Sequence, residues 1–113
     1  MRLDIHVEAG TYPVEVSEET LAGGQAFFDK MDRDMDAGWK MGPEFIEHPD
    51  RYQRAQIAAA RLLLALESRN EGLVQAMAGY ILARLPGVGQ VHVDTTGQPL
   101  NTELCRADGR PLE

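Results

Sequence analysis

The sequence is poor in the residue types on which several protein classes depend. It has a single cysteine, Cys105, so no disulfide can form within the chain. Its two serines, Ser17 and Ser68, both stand where a helix cap is expected, and no Gly-x-Ser-x-Gly motif occurs. These shortages argue against a disulfide-stabilised secreted scaffold and against nucleophilic catalysis by serine.

Long apolar runs and an excess of positive charge are also missing. The longest apolar stretch, 55–66, is interrupted by Gln56 and Arg61 and is shorter than the roughly 20 residues that cross a bilayer. The first residues lack the apolar core of a secretory signal. A net charge of −7 repels nucleic-acid phosphates and anionic lipids. We therefore expect a soluble, cytoplasmic protein that binds neither nucleic acid nor membrane.

What the sequence does contain is typical of a folded globular chain. Hydrophobic residues make up 43% of it, more than disordered segments carry. A chain of 113 residues normally forms one domain, so 1–113 is treated as a single domain.

The two terminal regions show strand patterns. Residues 2–8 alternate apolar and polar, and Gly10 permits a turn into a second strand. Pro13 has no N–H to give to a ladder, which confines that second strand to a sheet edge. We predict a β segment over 1–16, and we expect Val91-His92-Val93 to pair with it in the antiparallel sense. The tail, 95–113, is rich in turn residues and is predicted to be coil.

Three helices are predicted between these regions. The first, 17–40, starts at the N-cap Ser17 and carries an apolar stripe that continues to Trp39. The second, 49–69, starts with Pro49 at its first position. The third, 70–85, follows a capping box of Ser68 with Glu71, or Asn70 as an alternative cap, and ends at Pro86-Gly87.

These elements together predict a mainly α fold. The helices 49–69 and 70–85 are expected to form an antiparallel hairpin packed on the first, amphipathic helix. The terminal segments add a minor antiparallel β element.

The middle helix has more apolar surface than one buried face needs. Ten of the twelve residues in 55–66 are apolar, which indicates either a central position or an interface shared with a partner. The segment 50–69 is also the only basic part of the chain, and its arginines lie on the solvated edge, pair with the acidic first helix, or complement it between subunits. The predicted interface residues are Ala58, Leu62, Leu66, Arg54 and Arg61.

Metal-ligand patterns are present but incomplete. Asp32-x-Asp34-x-Asp36 resembles the start of an EF-hand loop, yet the required glycine is replaced by Ala37 and the twelfth position is Pro43. A solvated helix face is the better interpretation of these carboxylates.

Two further sets of residues are weak candidates for a site. Glu44, Glu47 and His48 form a group of acid, base or metal-ligand side chains in the Met41–Pro49 connection. His6 and His92 converge on one sheet if the terminal strands pair.

Two hypotheses about function follow. The first is a non-catalytic interaction or assembly module that acts as a homo-oligomer, most simply a homodimer, or that binds another protein. This hypothesis needs no catalytic residue and no cofactor. The second is a small enzyme or a ligand- or metal-binding protein that uses Glu44, Glu47 and His48 beside a pocket between helices.

Overall fold

The computed structural model describes residues 1–112 and contains six strands and four α-helices in that range. In chain order they are β1 (Arg2–Val7), β2 (Gly10–Glu15), α1 (Glu18–Gly23), α2 (Gln25–Asp36), β3 (Trp39–Met41), β4 (Glu44–Ile46), α3 (Arg51–Glu67), α4 (Glu71–Arg84), β5 (Val88–Val93) and β6 (Glu103–Arg106). A 3₁₀ turn, Pro99–Asn101, precedes β6. No helix among these residues is long and apolar enough to cross a membrane.

Four of the strands form one mixed sheet. Its order is β2-β1-β5-β6, with the outer pairs antiparallel and the central β1 and β5 parallel. One face of the sheet buries Leu3, Ile5, Val91 and Leu104 in the core. Helices α3 and α4 pack together and contact the sheet. The molecule is therefore a two-layer mixed α/β structure.

The predicted fold class is wrong on two counts. The β component is a four-stranded sheet rather than a minor element, and the terminal strands β1 and β5 pair in parallel rather than antiparallel. The intervening helices return the chain to the end of the sheet at which β1 begins. A strand that enters from that end necessarily runs in the direction of β1.

The predicted first helix, 17–40, is two helices followed by a strand. Gly24 separates α1 from α2, and a Cβ placed there would lie 2.8 Å from the Phe28 ring. Helix α2 ends at Asp36, and Gly38 then adopts a φ of +109° that favours glycine. Trp39 consequently lies in β3, paired with β4, and the helical spacing of its apolar side chain is coincidental.

The two long helices occupy the predicted ranges within two residues at each end. Helix α3 is capped by Asp50, which forms a capping box with Gln53, so Pro49 lies before the cap instead of inside the helix. Helix α4 uses the alternative cap, Asn70. The tail predicted as coil over 95–113 contains the 3₁₀ turn and β6, because pairing with β5 organises a segment with little local signal.

Both edges of the sheet are protected against the addition of another strand. Strand β2 lies at an edge, as predicted from its Pro13. The carbonyl of Glu15 in this strand accepts a hydrogen bond of 2.8 Å from the Gln75 side chain. At the other edge, the segment 110–112 runs beside β6 and hydrogen-bonds to Leu104 and Arg106. A partner chain therefore has little to gain from pairing with this sheet.

Candidate functional site

The acid and histidine candidates of the Met41–Pro49 connection do not form a site. Glu44, Glu47 and His48 are all exposed, and Nδ1 of His48 lies 3.1 Å from the carbonyl oxygen of Asp36. They line none of the five surface depressions described for the molecule. Within residues 1–112, no group of three or more His, Cys, Asp and Glu side chains is arranged to hold a metal ion.

His6 and His92 do meet on the sheet. Their strands are paired in register, and the two rings stack with centroids 4.4 Å apart and planes 8° from parallel. Nδ1 of His6 contacts the Thr11 hydroxyl at 3.1 Å, and Nε2 of His92 contacts the Gln90 amide oxygen at 3.0 Å. Each histidine therefore has a polar neighbour. Among residues 1–112, no further side chain joins the pair to complete a metal site.

A polar network centred on Asp32 joins α2 to α3 and α4. Oδ1 of Asp32 accepts a 2.5 Å hydrogen bond from the Tyr80 hydroxyl, and Oδ2 accepts one of 2.9 Å from Nε of Arg84. Arg54 donates to the Asp32 carbonyl at 3.1 Å and approaches its carboxylate at 3.4 Å. We call Asp32, Arg54, Tyr80 and Arg84 the Asp32 network.

The acidic side chains of α2 complete the charge balance of this network. Asp29 pairs with Arg84 at 2.6 Å, and Asp36 pairs with Arg54 at 2.9 Å. The Asp32 network thus accounts for Arg54 within the chain and leaves it no free charge for a partner. Three alternatives were given for the arginines of 50–69. For Arg54, the one that holds is pairing with the acidic first helix within the chain.

The Asp32 network is poorly suited to acid–base chemistry, although a depression of about 360 Å³ adjoins it. Burial alone raises the pKa of Asp32, but hydrogen bonds from Tyr80, Arg84 and Arg54 outweigh it and hold that pKa below its usual range. Burial and the bond to Asp32 raise the pKa of Tyr80 well above its usual value. A proton-transfer group needs a pKa near the working pH, and the pKa values of Asp32 and Tyr80 both shift away from neutrality. The network is structural.

Replacing Tyr80 by phenylalanine tests this role. The change removes a hydrogen bond to a charged acceptor, so we expect a loss of about 1.5 kcal/mol in the free energy of unfolding, measured by urea denaturation. We also expect the pKa of Asp32 to rise, which NMR titration of its carboxyl carbon would show. Tyr52→Phe is the matched control, since its hydroxyl accepts from the Leu104 amide and bonds to no carboxylate among residues 1–112. An unchanged Asp32 titration would contradict the assignment.

The apolar residues predicted as an interface lie mostly inside the chain. Ala58 and Leu62 are fully buried, with 0% exposure, so they have no surface to offer a partner. Leu66 is half-buried, as is Arg61. The helix is therefore central, as one of the two interpretations of its apolar excess required. If α3 also has a surface for a partner, that surface is the side of the helix opposite Ala58 and Leu62.

That opposite face of α3 forms the floor of an apolar groove. Ala60, Leu63 and Leu64 line it, and Leu64 is 64% exposed, the highest value among the large apolar side chains. A depression of about 510 Å³ adjoins two smaller ones there. It shares Leu63 and Glu67 with one of about 240 Å³, and Ala60 and Leu64 with one of about 90 Å³. The remaining apolar lining comes mainly from Val7, Tyr12, Trp39, Met41, Ile57, Leu66 and Pro99. We call this surface the α3 groove.

One wall of the α3 groove is fixed in place by buried hydrogen bonds. The Gln56 amide, which is 4% exposed, donates to the carbonyls of Leu100 at 3.0 Å and Thr102 at 2.8 Å. The Thr102 hydroxyl accepts from the Asp94 amide at 3.0 Å, which closes the loop that carries Pro99. The groove is therefore preformed, and a ligand would not need to order this wall.

Neither the Asp32 network nor the α3 groove can be assigned a role by similarity to a known protein. Comparison with protein-family models, with curated proteins and with solved structures finds no match for this chain. The sequence signalled both features in part, through the alternative that the arginines of 50–69 pair with the acidic first helix and through the apolar excess of 55–66. The solvated helix face predicted for Asp32, Asp34 and Asp36 is wrong at Asp32, because its carboxylate accepts from Tyr80 and Arg84 and its side chain is only 28% exposed. Tyr80 and the loop of Pro99 gave no comparable signal.

Proposed function

We propose that this protein is a non-catalytic interaction module and that the α3 groove is the surface on which it binds a segment of another polypeptide chain. The observation that carries the proposal is the groove itself, with Leu64 exposed where two of its depressions adjoin and a wall already ordered by Gln56. Exposed apolar surface that is continuous and concave is typical of interaction sites.

The sheet edges and the Asp32 network offer less to a partner. The sheet edges are closed by Pro13 and by the segment 110–112, and the carboxylate of the Asp32 network is already saturated with donors. A cytoplasmic location and self-association are the simplest expectations from the sequence, and both stay predictions.

The proposal is tested by selecting binders from a library of random peptides displayed on phage. We expect selected peptides to carry apolar residues spaced three or four apart, and Leu64→Glu to weaken their binding at least about tenfold by fluorescence anisotropy. Because Leu64 is exposed, the variant should keep its circular dichroism spectrum.

Phe27→Glu is the matched control for this experiment. Phe27 is also an exposed apolar residue on a helix, 43% accessible, but it does not line the α3 groove. Peptide binding should be unchanged in this variant. A selection that yields no binders, or binders insensitive to Leu64→Glu, would rule out the groove as the docking surface.

A further inference from the structure

The α3 groove has a rim of one charge at its larger end. Glu8, Glu67 and Asp94 line the depressions of about 510 and 240 Å³, and no lysine or arginine lines either. Glu8 and Glu67 make no ion pair within residues 1–112. Hydrogen bonds from the Gln98 and Thr96 amides lower the pKa of Asp94, so this carboxylate stays ionised at neutral pH.

The opposite end of the groove differs. The smallest depression, of about 90 Å³, is bordered by Lys40 and Arg61 and contains no acid. The groove therefore has an apolar floor and a distinct electrical polarity, with the acidic end being the larger. Charges arranged this way select among partners and set how a partner is oriented.

A second copy of the chain is a less favourable occupant of the groove because of its charge. In a twofold-symmetric interface the same patch is present on both sides, so the two acidic ends approach each other unless the grooves lie antiparallel, with each acidic end against the basic end of the other copy. Each copy also carries a net charge of −7, which adds repulsion at longer range. A symmetric homodimer through the α3 groove is thus restricted to the antiparallel arrangement and is opposed by the net charge of both copies, whereas a basic segment meets no such repulsion.

We propose that the natural occupant of the α3 groove is a basic amphipathic segment of another protein, with an apolar stripe flanked by lysine or arginine. This inference rests on the proposed function, since it names the kind of chain that the groove binds. The apolar stripe covers Leu63 and Leu64, and the cations lie against Glu8, Glu67 and Asp94.

Two synthetic peptides with identical apolar positions test the inference, one with lysine and one with glutamate at the polar positions. We expect only the lysine peptide to bind the wild type in fluorescence anisotropy, and its affinity to fall as salt is raised. The double variant Glu8→Lys with Glu67→Lys should weaken that binding about tenfold or more and should strengthen binding of the glutamate peptide. The control, Glu47→Lys with Glu103→Lys, makes the same charge change at exposed positions outside the groove.

The outcomes separate this inference from the proposed function. Equal binding of both peptides, abolished by Leu64→Glu, would leave the docking function standing and overturn the charge selection. Sedimentation showing a wild-type dimer that Leu64→Glu dissociates would identify a second copy as the occupant and would likewise overturn the inference. Display-selected peptides that depend on Leu64 but lack basic residues would do the same. Loss of all Leu64-dependent binding would remove the proposed function itself.

Discussion

Replacing Leu62 by glutamate is expected to unfold the protein. Leu62 has no exposed surface, so the new carboxylate would have to be buried without a partner or the core would have to open. Either outcome costs more than about 4 kcal/mol, a large share of the roughly 5 to 15 kcal/mol by which a typical domain is stable. Far-UV circular dichroism and urea denaturation measure the loss.

Leu64→Glu is the control for this prediction, because it makes the same change two positions further along the same helix. Leu64 is 64% exposed, so the variant should keep a native spectrum and a near-native unfolding midpoint. Leu62→Ala gives a measurable intermediate, with an expected loss of about 3 kcal/mol from the cavity it creates. A native, cooperatively folded Leu62→Glu protein would show that Leu62 does not lie in the core.

Replacing Asp32 by alanine should have the second largest effect. It removes the acceptor of Tyr80 and Arg84, so the Tyr80 hydroxyl loses its partner and Arg84 keeps only its contacts with Asp29 and Gln25. Because Asp32 and the arginines retain some solvent contact, we expect a loss of about 2 to 3 kcal/mol, at or below the range for fully buried pairs. Asp32→Asn keeps an acceptor oxygen for Tyr80 and should lose less. Asp34→Ala, on an exposed i,i+4 pair with Lys30, should cost no more than about 0.5 kcal/mol.

The stability that Asp32 contributes should depend on pH with a definite sign. The pKa of Asp32 is lowered in the folded state, so folding favours the ionised carboxylate. This stabilisation is complete above the unfolded value near 3.8 and disappears as the pH falls through the lower folded value. The stability difference between wild type and Asp32→Asn should therefore shrink when urea denaturation is repeated at falling pH below about 4. A difference independent of pH would show that the ionised form gives no advantage.

The helices were predictable from the sequence to the extent that their signals are local. The cap at Asn70 and the stop at Pro86-Gly87 lie within a few residues of the backbone they control, and α3 and α4 form nearly where expected. Trp39 shows the limit of periodicity, because its four-residue spacing from Met35 also fits a residue in a short strand after a turn. Only the positive φ of Gly38 separates the two, and sequence does not show it.

The sheet and the candidate site depend on contacts that the sequence does not encode locally. Strand β6 pairs with β5 across a loop, and its four residues have no clear alternation of their own. In 55–66, apolar residues occupy nearly every direction around the helix, so the pattern could not distinguish buried Leu62 from exposed Leu64. The distinction comes from where α4, β5, β6 and the Pro99–Asn101 turn meet the helix.

The parallel pairing of β1 with β5 has a consequence for how the chain assembles during synthesis. Strand β1 leaves the ribosome before the helices, and its central neighbour in the sheet follows only after both long helices. Until then, β1 has only β2 beside it, and a two-stranded hairpin is at best marginally stable. The α3–α4 hairpin depends on contacts close in sequence, so it is expected to form before β5 pairs with β1 and completes the sheet. A nascent chain stalled before Val88 should consequently expose the apolar side of β1 to chaperones.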